Sequence, residues 1–320
     1  MRRIGVLTSG GDSPGMNAAI RSVVRCGIDA GMEVFGIHRG YEGLLDGEIY
    51  RMARTNVGDI LHRGGTILRT ARSARFATPE GVEKAAAILE VFGIEGLVII
   101  GGDGSLKGGR DLAATGLTVM GVPGTIDNDL GYTDFTIGFD TAVNTVLESV
   151  SKIRDTSSSH ERTTIIEVMG RHCGDIALYA GIAGGAEAVL VPEIPFDVNE
   201  ISRKILAGAA RGKHTSLIIN AEGSGIATAE LVEQLEAKTG RETKMVALSY
   251  VQRGGTPTLQ DRWLATMTGA KAVELLAEGS TSKAIGVVDG QIRYFDLAEA
   301  LEHKREFNQS AYRLIDVLSK

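Results

Sequence analysis

The chain has 320 residues with 34 Lys and Arg against 40 Asp and Glu, a formal net charge of −6, and this length exceeds what one hydrophobic core usually serves, so two α/β lobes are expected. Mild acidity argues against a nucleic-acid surface, and no apolar run reaches the roughly 18 residues of a membrane span, so a soluble cytoplasmic protein is expected. Cys26 and Cys173 are too few for a disulfide framework or zinc site and are both expected to be buried, while 42 glycines against 6 prolines point to tight turns and close backbone approaches.

In chain order, the hydrophobic periods predict a strand at 4–8, a glycine turn at 9–15, a helix at 17–30 and a strand at 33–38. A helix at 79–92, a strand at 96–100, a helix after Ser105 and a strand at 118–122 follow. Helices at 139–156, 175–182, 198–212 and 228–238 then alternate with strands at 163–168, 188–191, 216–220 and 243–248. The chain closes with a glycine loop at 252–257, a helix at 263–277, a strand at 284–288 and a terminal helical stretch. Helical crossovers imply parallel pairing. No Pro/Ser-rich linker marks a boundary, so the lobes are expected to exchange segments: 1–138 plus about 252–302, and 139–251 plus about 303–320.

Three loops follow predicted strands and carry the chemistry. Gly10-Gly11-Asp12-Ser13-Pro14-Gly15 leads into a helix whose N-terminal amides attract an anion; its plainer reading is a turn in which Asp12 or Ser13 caps that helix. Gly101-Gly102-Asp103-Gly104-Ser105 and Pro123-Gly124-Thr125-Ile126-Asp127-Asn128-Asp129 are acidic and lined with glycine. In an open parallel sheet the carboxyl ends of strands form the ligand crevice. Glycines let backbone approach a phosphate, carboxylates suit magnesium, and one carboxylate could take a proton from an attacking hydroxyl. The chemistry suggested is phosphoryl transfer. Neither GxxxxGK[ST] nor a GxGxxG after a strand is present, and the six histidines have no HxxxH pair. Arg171, at the end of a predicted strand, is placed to clamp phosphate; Arg72 and Arg162 stand in similar polar contexts. Arg21 and Arg25 share a helix face at i,i+4, with solvated surface as their plain reading.

Thr8-Ser9-Gly10-Gly11-Asp12, the two acidic loops and Val168-Met169-Gly170-Arg171 together resemble the bacterial ATP-dependent 6-phosphofructokinase family, with support from Arg154 to His160 and from Gln252-Arg253-Gly254-Gly255. The resemblance implies two α/β/α lobes with mostly parallel sheets, the active site in the interlobe cleft, the first lobe binding nucleotide and the second the sugar phosphate. It implies Mg²⁺, ATP and fructose 6-phosphate, with Asp127 as base, Asp103 holding magnesium, Thr125 and Asp129 organising the transferred phosphate and the metal, and Arg72 and Arg171 stabilising charge on the transition state. Gly11, Arg72, Ser73, Gly102, Asp103, Gly104 and Ser105 would meet ATP. Thr125, Ile126, Asp127, Arg162, Met169, Gly170, Arg171, Glu222, Lys244, Tyr250 and Arg253 would meet the sugar phosphate, Arg162 and Lys244 reaching it from a neighbouring subunit of a homotetramer. Arg21, Arg25, Arg54, Arg154, Gly185, Glu187, Arg211 and Lys213 would form an effector pocket for ADP or phosphoenolpyruvate.

Two positions depart from the pattern. Lys244 stands where an arginine is expected, with Arg241 close enough in sequence to take its place, and Tyr250 replaces a histidine. Glycine at 104 and 124, where pyrophosphate-dependent relatives carry Asp and Lys, is expected to leave space for the α-phosphate and nucleoside. Rival readings are a kinase for another sugar phosphate such as tagatose 6-phosphate, or a catalytically silent nucleotide-binding regulator. NAD kinase shares a GGDG loop but not the other elements.

Overall fold

A parallel strand covered on both faces carries a continuous apolar run, and β1 (Arg3–Ser9), β4 (Gly96–Gly101) and β5 (Thr118–Thr125) are buried over nearly their whole length. The structure, a computed structural model, describes residues 1–319. Its first unit comprises Met1–Thr141 and Arg253–Arg305. Here β2 (Glu33–Ile37), β3 (Ile49–Met52), the two-residue β6 (Ile137–Gly138), β11 (Lys283–Val288) and β12 (Gln291–Asp296) complete a sheet ordered β12-β11-β5-β4-β1-β2-β3, with β6 beside the end of β5. All pairings are parallel except β2 with β3 and β11 with β12.

Alternate strand residues feed two cores. On one face Val6, Val98, Ile100 and Val122 pack with α1 (Met16–Asp29) and α9 (Leu259–Ala277) through Ile20, Val24, Leu264 and Leu276. On the other, Leu7, Leu97, Ile99 and Val119 meet α2 (Gly40–Leu45), α3 (Pro79–Val91) and α4 (Asp103–Ala113) through Leu44, Leu89 and Leu106.

The second unit comprises Ala142–Gln252 and the chain from Glu306. Its sheet, β10 (Thr243–Ala247), β7 (Thr163–Val168), β9 (Ser216–Ala221) and β8 (Ala188–Leu190) in that order, is wholly parallel. Ile165, Ile218 and Leu190 pack there with Ile201 and Ile205 of α7 (Val198–Ala210) and Leu231 and Leu235 of α8 (Thr228–Thr239). The chain enters this unit along α5 (Phe139–His160), which follows Gly138, and α6 (Asp175–Gly184) follows β7. α10 (Leu297–Ala300) and α11 (Gln309–Leu318) make up the terminal helical stretch.

The antiparallel edge strands β3 and β12 and the short α2 were not expected from the sequence. Both strands are short, mostly half-buried or exposed, and interrupted by Arg51 and Arg293, so they give no continuous apolar run, as edges often do not. Helix α9 begins four residues earlier than the expected 263 because the Thr258 hydroxyl caps it, accepting from Asp261 N at 3.3 Å. Cys173 is buried as expected, but Cys26 is only half-buried at the margin of the first core. Among the described residues no helix is long and apolar enough to cross a membrane.

Asp261 fixes the start of α5. Its carboxylate is 1 % exposed and accepts from Gly138 N and Thr141 N, each at 2.8 Å, and from the Thr141 hydroxyl. Burial, only partly offset by these bonds, pushes its pKa from 3.8 up to about 6. The folded state therefore holds a proton that the unfolded chain has already released, and this group's contribution to stability falls as pH rises through that window. Asp261→Ala strands two buried amides and is expected to lower unfolding free energy by about 2–4 kcal/mol in urea titrations; a loss under about 0.5 kcal/mol would contradict the clamp.

Candidate active site

The register of the first sheet aligns three loops. Ser9 pairs with Gly101, and Gly101 with Pro123, so the chain leaves β1, β4 and β5 at adjacent points of one sheet edge. From β1 the chain goes on to β2 on one side, while β4 leads to β5 on the other. This is a topological switch point, the place where open α/β sheets bind ligands. Two helices, α1 and α4, begin there, and neither N-terminus has a side-chain cap. Asp12 and Ser13 are thus not the helix caps of the plain reading: Gly15 occupies the cap position of α1, as Gly102 does that of α4. The amides at both ends are left for an anion. At Gly101 a Cβ would fall 2.6 Å from Ser105 Cβ and 2.7 Å from Ser9 O, which is why β1 and α4 can close so tightly.

The third loop is held rigid by its own amide. Asn128, in the left-handed region with φ 54°, accepts from Thr136 N at 3.0 Å and donates to Asp134 O at 3.2 Å. The Thr136 hydroxyl closes onto Thr125 O at 2.7 Å. Asp127 N meets the Thr125 hydroxyl at 3.2 Å, and the Asp127 side chain is 2 % exposed. Ile126 beside it is wholly buried. A rigid, desolvated carboxylate next to glycine backbone is equipped to take a proton from a bound hydroxyl.

Further elements of the same unit reach this edge. Thr8 Oγ1 donates to Arg69 O at 2.8 Å and the Thr70 hydroxyl to Gly10 O at 2.7 Å, which ties the segment just before the exposed Arg72 to the first loop. Ser73 instead donates to Glu42, within an ion-pair cluster of Arg75, Glu42 and Asp46. Arg253 Nη1 lies 3.3 Å from Asp12 O, and a Cβ on Gly11 would come within 2.5 Å of it. Gly104 has open space above it, as expected. At Gly124 a Cβ would fall 2.9 Å from Ile100 Cγ2 and 3.2 Å from Gly101 N, so the backbone is closely packed there as well. Sequence reading missed Lys107, whose Nζ is 2.8 Å from Asp103 Oδ2; the i,i+4 spacing was the available signal.

In the second unit, Val168 and Ala221 end neighbouring strands. Gly170 with φ 136° turns the chain away from β7, and Arg171 follows in the left-handed region with its N–H donating to Glu222 Oε1 at 2.9 Å. Met169 N donates to the buried Gln252 side chain at 3.1 Å. Arg162 and Lys244 meet at one carboxylate, Glu242, which they hold below the usual carboxylate range. Arg241 donates to the carbonyls of Glu161 and His214. Tyr250 is 79 % exposed.

The expected effector residues fall in both units. In the first, Arg25 and Arg54 line a recess with Asp29, which Arg54 pairs at 3.0 Å, and Arg21 lies one turn earlier on α1. In the second, Arg154 donates to the carbonyls of Gly184 and Gly185 at 2.6 Å, the buried Glu187 pairs with Lys213, and Arg211 ends α7.

Comparison with known proteins gives a consistent result. The phosphofructokinase family profile matches residues 3–276. The ATP-dependent 6-phosphofructokinases of Clostridium acetobutylicum and Clostridium tetani are 58 % and 56 % identical over 320 and 319 residues, covering all of both chains. The crystal structure of Pichia pastoris phosphofructokinase in the T-state superposes with a TM-score of 0.91 at 36 % identity over 99 % of this chain, which spans 39 % of that longer one.

Gly223 gives a direct test of the second unit's geometry, since a Cβ there would fall 1.8 Å from Arg171 O. Gly223→Ala is expected to lower unfolding free energy by about 1–3 kcal/mol through forced backbone movement. An unchanged urea midpoint would contradict the described close approach.

Proposed function

The chain belongs to the phosphofructokinase family, and on that premise we propose how it transfers the γ-phosphoryl group of ATP to the 1-hydroxyl of fructose 6-phosphate, giving fructose 1,6-bisphosphate and ADP. The observation that carries the site assignment is the alignment of three strand ends bearing glycines and carboxylates on one edge of one sheet. Gly11, Gly102, Gly104 and Ser105 receive the nucleotide, with Arg72 and Ser73 beside them; the open space over Gly104 supports this. Ser73 must then exchange its bond to Glu42 for one to the nucleotide.

Asp127 accepts the proton of the 1-hydroxyl as that oxygen attacks phosphorus. Thr125 and Asp129 organise the transferred group, and Arg72 and Arg171 stabilise charge on its equatorial oxygens. Met169, Gly170, Glu222, Tyr250 and Arg253 hold the sugar phosphate, with Ile126 as an apolar wall, while Arg162 and Lys244 reach it from a neighbouring subunit of a homotetramer. Orientation of donor and acceptor can supply about 7–11 kcal/mol, whereas a general base supplies about 10²–10⁴-fold, so alignment dominates.

Magnesium fits Asp103 and Asp129. Their oxygens are hard donors, and the Lys107 ammonium against Asp103 shows that carboxylate already collecting positive charge. Among the described residues no group of three or more His, Cys, Asp or Glu side chains could hold a metal. Magnesium needs only one or two carboxylates beside substrate phosphates. Bound there, it would neutralise phosphate charge.

The same reading makes the enzyme cytoplasmic and gives Arg21, Arg25, Arg54, Arg154, Gly185, Glu187, Arg211 and Lys213 to ADP or phosphoenolpyruvate, whose different affinities for two quaternary states would set the response. Retention of Asp103, Asp127, Asp129, Arg72 and Arg171 disfavours a silent regulator.

Asp127→Ser is expected to lower kcat by about 10²–10⁴-fold while changing fructose 6-phosphate affinity, measured by calorimetry, by under about tenfold; parent-like turnover would sink the base. Arg25→Ala is expected to weaken the ADP and phosphoenolpyruvate responses about fivefold or more without altering effector-free kcat. An undiminished response to both would count against the effector assignment.

A further inference from the structure

The segment that carries Arg72 and Ser73, residues 71–78, lies outside every helix and strand, so no helix or sheet ladder holds it and side chains have to. Its ends are fixed. Thr70 donates to Gly10 O, and the Thr78 hydroxyl caps α3 by accepting from Gly81 N at 3.1 Å. Between those ends α2 provides two adjacent anchors. Tyr41 stacks on the buried Phe76 with centroids 3.9 Å apart and planes 8° from parallel. Glu42, the next residue, turns both carboxylate oxygens to the same segment: Oε2 accepts from the Ser73 hydroxyl at 2.5 Å, and Oε1 from Arg75 Nε and Nη2 at 2.9 and 2.5 Å. Arg75, and then Ser73, holds this carboxyl below the usual carboxylate range. Behind it Asp46 accepts from Arg75 at 2.8 Å and from Arg39 at 3.0 Å, and Arg39 also pairs with Glu48.

We propose that Glu42 is a positioning residue for the nucleotide, holding the segment of Arg72 and Ser73 beside the first loop so that both side chains meet ATP. The inference rests on the assignment of Arg72 and Ser73 to ATP. The two oxygens have separate tasks. When Ser73 turns to the nucleotide, Oε2 is released, but Oε1 keeps its bonds to Arg75, and the segment stays anchored while the hydroxyl changes partner. Charge-assisted bonds to arginine are the stronger kind. A segment ordered beforehand binds more tightly than one that must be ordered on binding. The sign of the effect separates this role from simple electrostatics. A carboxylate near a polyphosphate repels it, so by charge alone the loss of Glu42 would tighten ATP binding. Positioning predicts the opposite.

The test uses the full-length protein and the Mg²⁺ complex of a β,γ-imido ATP analogue, titrated by calorimetry. Glu42→Ala is expected to weaken analogue binding about fivefold and to raise KM for ATP by a similar factor, with KM for fructose 6-phosphate within about twofold of the parent. The melting temperature should stay within about 2 °C of the parent's, because partly exposed ion pairs add little stability. Trypsin should cut after the exposed Arg72 faster in Glu42→Ala than in the parent, and the analogue should slow that cut. Glu48→Gln removes a negative charge at the far end of the cluster and should leave analogue affinity within about twofold. Unchanged or tighter analogue binding in Glu42→Ala overturns the proposal, as does an equal loss in Glu48→Gln, which would make the effect one of the whole charge cluster. Arg72→Ala separates the two readings: if it weakens analogue binding while Glu42→Ala does not, only the glutamate assignment fails. If Arg72→Ala leaves binding intact, the assignment of this segment to ATP fails and the glutamate proposal with it.

Discussion

The register that sets Ser9 beside Gly101 and Gly101 beside Pro123 is the constraint from which the rest follows. It is a backbone fact, fixed by parallel pairing of three buried strands whose apolar side chains alternate between two cores. A slip of one residue would exchange those faces, so the hydrophobic cores and the alignment of the loops protect each other. Function needs the loops level at one edge, and the core supplies that without any functional residue bearing load.

Given that edge, the local chemistry is economical. Glycines occur where another group must come close: Ser105 against Gly101, Arg253 against Gly11, Ile100 against Gly124. Charged groups are paired in ways that ligands can exchange. Asp103 holds Lys107, and Glu242 holds both Arg162 and Lys244. Such partly exposed pairs contribute little to stability, about 0–1 kcal/mol each, so exchanging their partners is cheap. The rigid parts are different in kind: the Asn128 clamp and the buried Asp261 carboxylate tie backbone amides, and no substrate is assigned to them.

Much of this was legible in the sequence because it rests on periodicity and on residue types with few alternative uses. The long buried strands and the three loops at their ends read directly from apolar runs followed by glycine and aspartate. What stayed hidden depended on contacts between distant positions. The edge strands β3 and β12 are short, and Arg51 and Arg293 interrupt their apolar residues, so they do not stand out as runs. The pairing of Arg162 with Glu242, 80 residues apart, has no local trace. The packing around Gly124 was hidden too, because sequence shows that a side chain is absent but not which neighbours lie beside it.

The central claim is that these strand ends form a site for ATP-driven phosphorylation of fructose 6-phosphate. A coupled assay of the purified protein with Mg²⁺, pairing ATP or pyrophosphate with fructose 6-phosphate or tagatose 6-phosphate, tests donor and acceptor together. The account predicts kcat/KM highest for ATP with fructose 6-phosphate. A preference for pyrophosphate or for tagatose 6-phosphate, or no turnover with any pair, would contradict it.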